Sequence, residues 1–147
     1  MSETFAPKSP IKRIVVGYDD TEPAKRALGR AAELAKAFGA SIVVTSVARP
    51  LVPANRGVGP VDPADSPSLH REQLERAGLE LSELGLEAEL HVALGQPAER
   101  IVALAEGRDA DLIVVGTREP DLLERLFGLS VSDGVEHRAH CDVLIVH

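Results

Sequence analysis

The sequence predicts an α/β fold: an open, doubly wound, five-stranded parallel sheet with helices on both faces. Three observations predict it. Five short apolar runs alternate with segments of helical period, the order expected of strands joined by crossover helices. The fourth run is apolar throughout, as a strand covered on both sides must be, whereas the third alternates apolar and polar residues like a strand at an edge. The chain has 147 residues, the size of one domain, and carries no internal repeat or low-complexity tract. Residues 1–10 read as a flexible N-terminus and 11–147 as the single domain.

The first run, Ile14 to Tyr18, stops at Asp19-Asp20-Thr21. Thr21 has the side chain of an N-cap, and Glu22 and Pro23 suit the first helical turn that follows. Ala27, Leu28, Ala31, Leu34, Ala35 and Phe38 then recur at three- and four-residue steps, one apolar face that ends at Gly39. The second run is Ile42 to Val47. After it, residues 49–68 hold five prolines and two glycines and read as a long loop. Leu74, Ala77, Leu81 and Leu84 define the next helical face, with Gly78 a weak point inside it and Gly85 its stop. The third strand spans Leu86 to Leu94. Pro97 opens a third helix carrying Ile101, Leu104 and Ala105, and Asp111 precedes the central strand Leu112 to Gly116. Thr117 to Leu129 connects it to a last helix, Ser130 to Ala139, and a last strand, Val143 to Val146.

Composition removes several function classes. A formal net charge of −7 with no basic cluster repels phosphodiester backbones and anionic lipid heads, so neither nucleic acid nor membrane is an expected partner. Aromatic residues are 3% of the chain, too few for a base-stacking platform. Cys141 is the single cysteine, and the opening MSETFAPKSP lacks the apolar centre of a secretory signal, so a cytoplasmic location is expected. His137 and His140 lie three apart near the end of a helix, where the dipole alone favours histidine, and no metal site is expected of them. Cys141, beside an apolar strand, reads as a small packed residue. A phosphoacceptor receiver domain would need an Asp after strand three and a Lys after strand five. The chain has Ala93-Leu94-Gly95-Gln96 at the first place and ends at His147 at the second.

In open parallel sheets, ligands bind beyond the carboxyl ends of strands whose connections leave to opposite faces. The candidate segments are therefore Gly17 to Thr21 and Gly116 to Ser132, with backbone N–H groups at the start of the last helix suited to an anion.

The second of these segments resembles the signature of the universal stress protein family. In ATP-binding members a strand ends in a GxxG turn, nine residues follow, and a Gly-Ser or Gly-Thr pair opens the last helix. Here the segment reads Gly116-Thr117-Arg118-Glu119, then Pro120 to Gly128, then Leu129-Ser130-Val131-Ser132. The opening VVGYDDTEPAKRAL, the stretch DADLIVVGTR and the ending HRAHCDVLIV are similar to the family's first strand and helix, fourth strand and terminus. The resemblance implies a strand order of 3-2-1-4-5, and a nucleotide site at Gly17, Asp19, Val47, Val115, Gly116, Arg118, Ser130, Val131 and Ser132. It also implies a homodimer paired through Val143, Leu144, Ile145 and Val146; no residue of the chain is an evident general base, so no catalytic residue and no enzyme activity are expected.

Two departures matter. Glu119 and Leu129 stand where ATP-binding members have glycine, placing a carboxylate and a bulky side chain where a triphosphate needs bare backbone. The resulting expectation is a dimeric stress-response regulator that acts through an unknown protein partner, with ATP binding weakened or lost. The alternative is a switch that binds an adenine nucleotide, ATP, AMP or cyclic AMP, as its one cofactor, with Arg118 holding a single phosphate. Asp19 and Ser130 also have the composition of helix caps, which gives both a structural role to compete with the binding one.

Overall fold

Ile14, Val15 and Val16 are fully buried, and the remainder of the molecule is arranged around them. They form β1 (Arg13–Gly17) at the centre of a five-stranded sheet, in a computed structural model that describes residues 10–51, 60–117 and 131–147. In chain order the other elements are α1 (Glu22–Phe38), β2 (Ser41–Ala48), α2 (Pro67–Glu83), β3 (Ala88–Leu94), α3 (Pro97–Gly107), β4 (Leu112–Gly116), α4 (Val131–Arg138) and β5 (Asp142–Val146). All strand pairs are parallel and the order is β3-β2-β1-β4-β5. The alternating strand therefore lies at one edge and the wholly apolar β4 lies inside.

Because successive side chains of a strand point to opposite faces, the sheet has two cores. Ile14, Val16, Ile42 and Val44 pack with Ala27, Ala31, Leu74 and Leu81 beneath α1 and α2. Val15, Val43, Ile113 and Val115 pack with Ile101, Ala105 and Val135 beneath α3 and α4. The connections from β1 and β2 thus lie on one face, and those from β3 and β4 on the other. β1 and β4, which pair directly, send their chains to opposite sides.

The 49–68 segment departs from the loop expected of it. Two of its prolines open helical turns: Asp62 caps a 3-10 turn at Pro63–Asp65, and Ser66 accepts from the Leu69 N–H to cap α2, which begins at Pro67. Pro50 and Val61 bridge antiparallel within it. Leu84 and Phe38 also differ from expectation, at 49% and 54% exposed. Each sits at a helix end beyond the sheet, and the chain fills the core instead with Leu86 and Ala40. β3 accordingly starts at Ala88 instead of Leu86, and β5 at Asp142, one residue before the expected Val143. Ser130, the expected first residue of the last helix, lies outside the described residues.

Candidate functional site

The site begins where β1 runs out. Tyr18 continues the pairing by one residue, its N–H donating to the Thr45 carbonyl at 2.8 Å. Asp20 then takes a left-handed φ of 62° and reverses the chain into α1, whose first turn is capped by Thr21. Asp19 is exposed at this reversal. Its Oδ1 accepts from the Thr21 N–H at 3.2 Å and the Thr21 hydroxyl at 2.5 Å, so it braces the capping residue while Thr21 itself caps. Asp20 ties the turn to the next helix: Tyr18 donates to its Oδ1 at 3.0 Å and Arg76 to its Oδ2 at 3.1 Å. Burial, with the Asp20 acceptor second, holds the Tyr18 phenol protonated far above its ordinary range.

On the other side of the switch, β4 closes at Gly116 against the start of α1. A Cβ there would stand 2.4 Å from the Pro23 carbonyl oxygen, so only glycine lets the first helical turn lie this close. The Thr117 N–H donates to the Val146 carbonyl at 3.0 Å and carries the β4–β5 pairing past Gly116.

Between these ends lies a cleft of about 440 Å³ across the carboxyl ends of β2, β1 and β4. Gly17, Asp19, Val47, Val115, Gly116, Val131 and Ser132 all line it, so the structure brings these residues of the sequence-derived site to one place. Arg118, Glu119, Leu129 and Ser130 lie outside the described residues. Val115 and Ile101 are buried apolar floor, and the polar groups stand around the rim. No group of three or more His, Cys, Asp or Glu able to hold a metal ion occurs among the described residues. His137 donates from Nδ1 to the Asp133 carbonyl, while His140 faces Glu106. Cys141 is half-buried under α3, and burial pushes its thiol up, with Asp142 adding to the shift. No helix among the described residues is long and apolar enough to cross a membrane.

One wall of the cleft was not found from the sequence. His70 and Gln73 of α2, with Arg49 and Asp65 of the β2–α2 connection, complete the lining. His70 occupies the buried stripe of α2 together with Leu74, Ala77 and Leu81, four residues before the first of them, so a polar residue in phase with an apolar face was the available signal. Its ring is held at both nitrogens: Nε2 lies 2.5 Å from Asp65 Oδ1, and Nδ1 lies 2.5 Å from Ser46 Oγ. The carboxylate can only accept, so Nε2–H donates to Asp65, and Nδ1 is joined by a hydrogen bond to the Ser46 hydroxyl. Asp65 Oδ2 in turn accepts from the Arg49 N–H at 2.8 Å. Burial raises the Asp65 carboxyl, but the Arg49 amide and the His70 ring outweigh it and leave it below its ordinary 3.8. Ser46 is 1% exposed and does not line the cleft, so its hydroxyl is out of a substrate's reach. The Ser46–His70–Asp65 chain fastens the connection and α2 to the sheet.

A parallel sheet that reverses its winding between β1 and β4, with a mixed polar and apolar cleft at that point, defines the class of open α/β proteins that take a ligand at the switch. Within that class, the universal stress protein family model matches residues 10–147. The chain belongs to the universal stress protein family. A universal stress protein of Thermus aquaticus is 38% identical over 136 residues, which cover 92% of this chain and 98% of the relative. A universal stress protein solved in complex with cAMP superposes with a TM-score of 0.74 at 28% identity, covering 95% of this chain and 98% of that one. The universal stress protein from Archaeoglobus fulgidus in complex with dAMP gives 0.65 at 26% identity, covering 92% and 98%. The family assignment and the sheet order implied by the sequence are both shown by these matches and by the topology.

Proposed function

We propose that the cleft binds an adenosine monophosphate, linear or cyclic, and disfavours ATP, and that the chain acts as a nucleotide-responsive regulator without turning the nucleotide over. The observation that carries this reading is the convergence of Gly17, Asp19 and Val47 with Gly116, Val131 and Ser132 on a single cleft. Its volume of about 440 Å³ falls within the roughly 300–1,000 Å³ of small-molecule sites. The start of α4 points N–H groups at one end, where a phosphate is favoured, and Asp19 offers an acceptor for ribose hydroxyls beside β1. The solved relatives described above hold cAMP and dAMP, both monophosphates. ATP is disfavoured because Glu119 and Leu129 replace glycines of the family's phosphate turn, adding like charge and bulk. Equilibrium dialysis with labelled AMP tests the site. Saturable binding that weakens at least tenfold in Asp19→Ala, with the variant still folded by circular dichroism, is expected; equal binding by the two proteins would contradict it.

A second surface carries the interaction half of the reading. β5 is an edge strand whose Val143 and Ile145 pack on one core and Leu144 and Val146 on the other, leaving its outer backbone groups facing away from the sheet. An apolar edge of this kind is stabilised by pairing, and we propose a homodimer formed through β5. Sedimentation at micromolar concentration is expected to show twice the chain mass; a monomer would contradict the proposal.

A further inference from the structure

Among the described residues, one buried side-chain oxygen of the α2 wall has no hydrogen-bond partner. His70 is saturated, one ring nitrogen by Ser46 and the other by Asp65, and Asp65 spends its second oxygen on the Arg49 amide. Thr45 Oγ1 lies 3.4 Å from His91 Nδ1. Gln73 differs: its Oε1 is buried yet has no hydrogen-bond partner among the described residues, and the residue lines the cleft. A buried carbonyl oxygen left unpaired is costly, and such a group in a ligand cleft is completed when a ligand brings a donor to it.

Position decides which donor. The cleft runs across the ends of β4, β1 and β2, with α4 at the β4 end and α2 beside β2. If a nucleotide sets its phosphate at the α4 end, as proposed above, its base reaches the α2 end, where Val47 supplies an apolar surface and Gln73 the acceptor. We infer that Gln73 is a specificity-determining residue that accepts a hydrogen bond from the exocyclic amino group of a 6-aminopurine. His70, one turn earlier on the same helix and held at both ring nitrogens, ties α2 to Ser46 of β2 and to Asp65. This inference rests on the nucleotide reading of the cleft and adds to it the choice of base.

The test compares AMP with purine riboside 5′-monophosphate, which lacks only the amino group, on the full chain by calorimetry. Wild type is expected to prefer AMP by roughly tenfold, the loss that follows when a site built for a donor meets a ligand without one. Gln73→Leu should bring the ratio to about one, and Gln73→Glu, which keeps an acceptor, should retain the preference. A ratio unchanged in Gln73→Leu overturns the role of Gln73 and leaves the nucleotide site standing. Absence of binding by wild type to either ligand overturns both.

Discussion

At Gly116 a missing side chain decides how near two elements come. Motif reasoning reads this glycine as the start of a phosphate turn, but its neighbour is the Pro23 carbonyl, 2.4 Å from where a Cβ would stand, so packing alone requires it. Gly116→Ala is therefore expected to destabilise the fold by on the order of 1–3 kcal/mol whether or not a ligand is present. Gly29, exposed in α1 with nothing within 4 Å of a built Cβ, is the control: Gly29→Ala should stabilise by about 0.5–1 kcal/mol. Urea unfolding of the two variants checks both signs. Asp19 carries a similar double reading. Thr21 caps α1 as its place in the sequence predicts, and the Asp19 carboxylate, itself of a cap-forming type, braces Thr21 from the rim of the cleft. A residue's type announces that it will accept hydrogen bonds, whereas the donor it meets depends on the turn.

The element that most repaid a structure is the connection between β2 and α2. Strands and helices with a clear period were legible, because burial of one face imposes that period on the sequence: β1, β4 and the faces of α1, short of its exposed last residue Phe38, and α3 lie where the apolar spacing puts them. The prolines of 49–68 carry no such signal, since proline opens a helix as readily as it interrupts one, and α2 begins at Pro67 inside the expected loop. Asp65 and His70 lie five residues apart and Ser46 a further stretch away, so their chain depends on how the connection folds back. That fastening has a pH signature. Asp65 is held below its ordinary 3.8 in the folded state, so its contribution is complete above that value and is lost as pH falls through the lower folded value. The gap between the urea midpoints of wild type and Asp65→Asn is expected to be open at neutral pH and to close as pH drops below 3.8. A gap that widens on acidification would contradict the linkage.

For the whole molecule, the order β3-β2-β1-β4-β5 places one cleft at the reversal and one apolar strand at an edge, and these two features carry the functional reading. The cleft's β1 and β4 rims were legible because glycine, aspartate and serine mark turns at strand ends. Its α2 wall was not, because His70 and Gln73 belong to a helix whose distance from the β1 turn only the tertiary packing sets. The chain belongs to the universal stress protein family, and the proposed reading of the cleft takes Glu119 and Leu129, where ATP-binding members have glycine, as its reason for disfavouring ATP. The claim is most directly tested by calorimetric titration of the full chain with AMP, cyclic AMP and ATP under one buffer. Saturable binding of a monophosphate, tighter than ATP by tenfold or more, is the result expected; ATP as the tightest ligand, or no binding by any of the three, would contradict it.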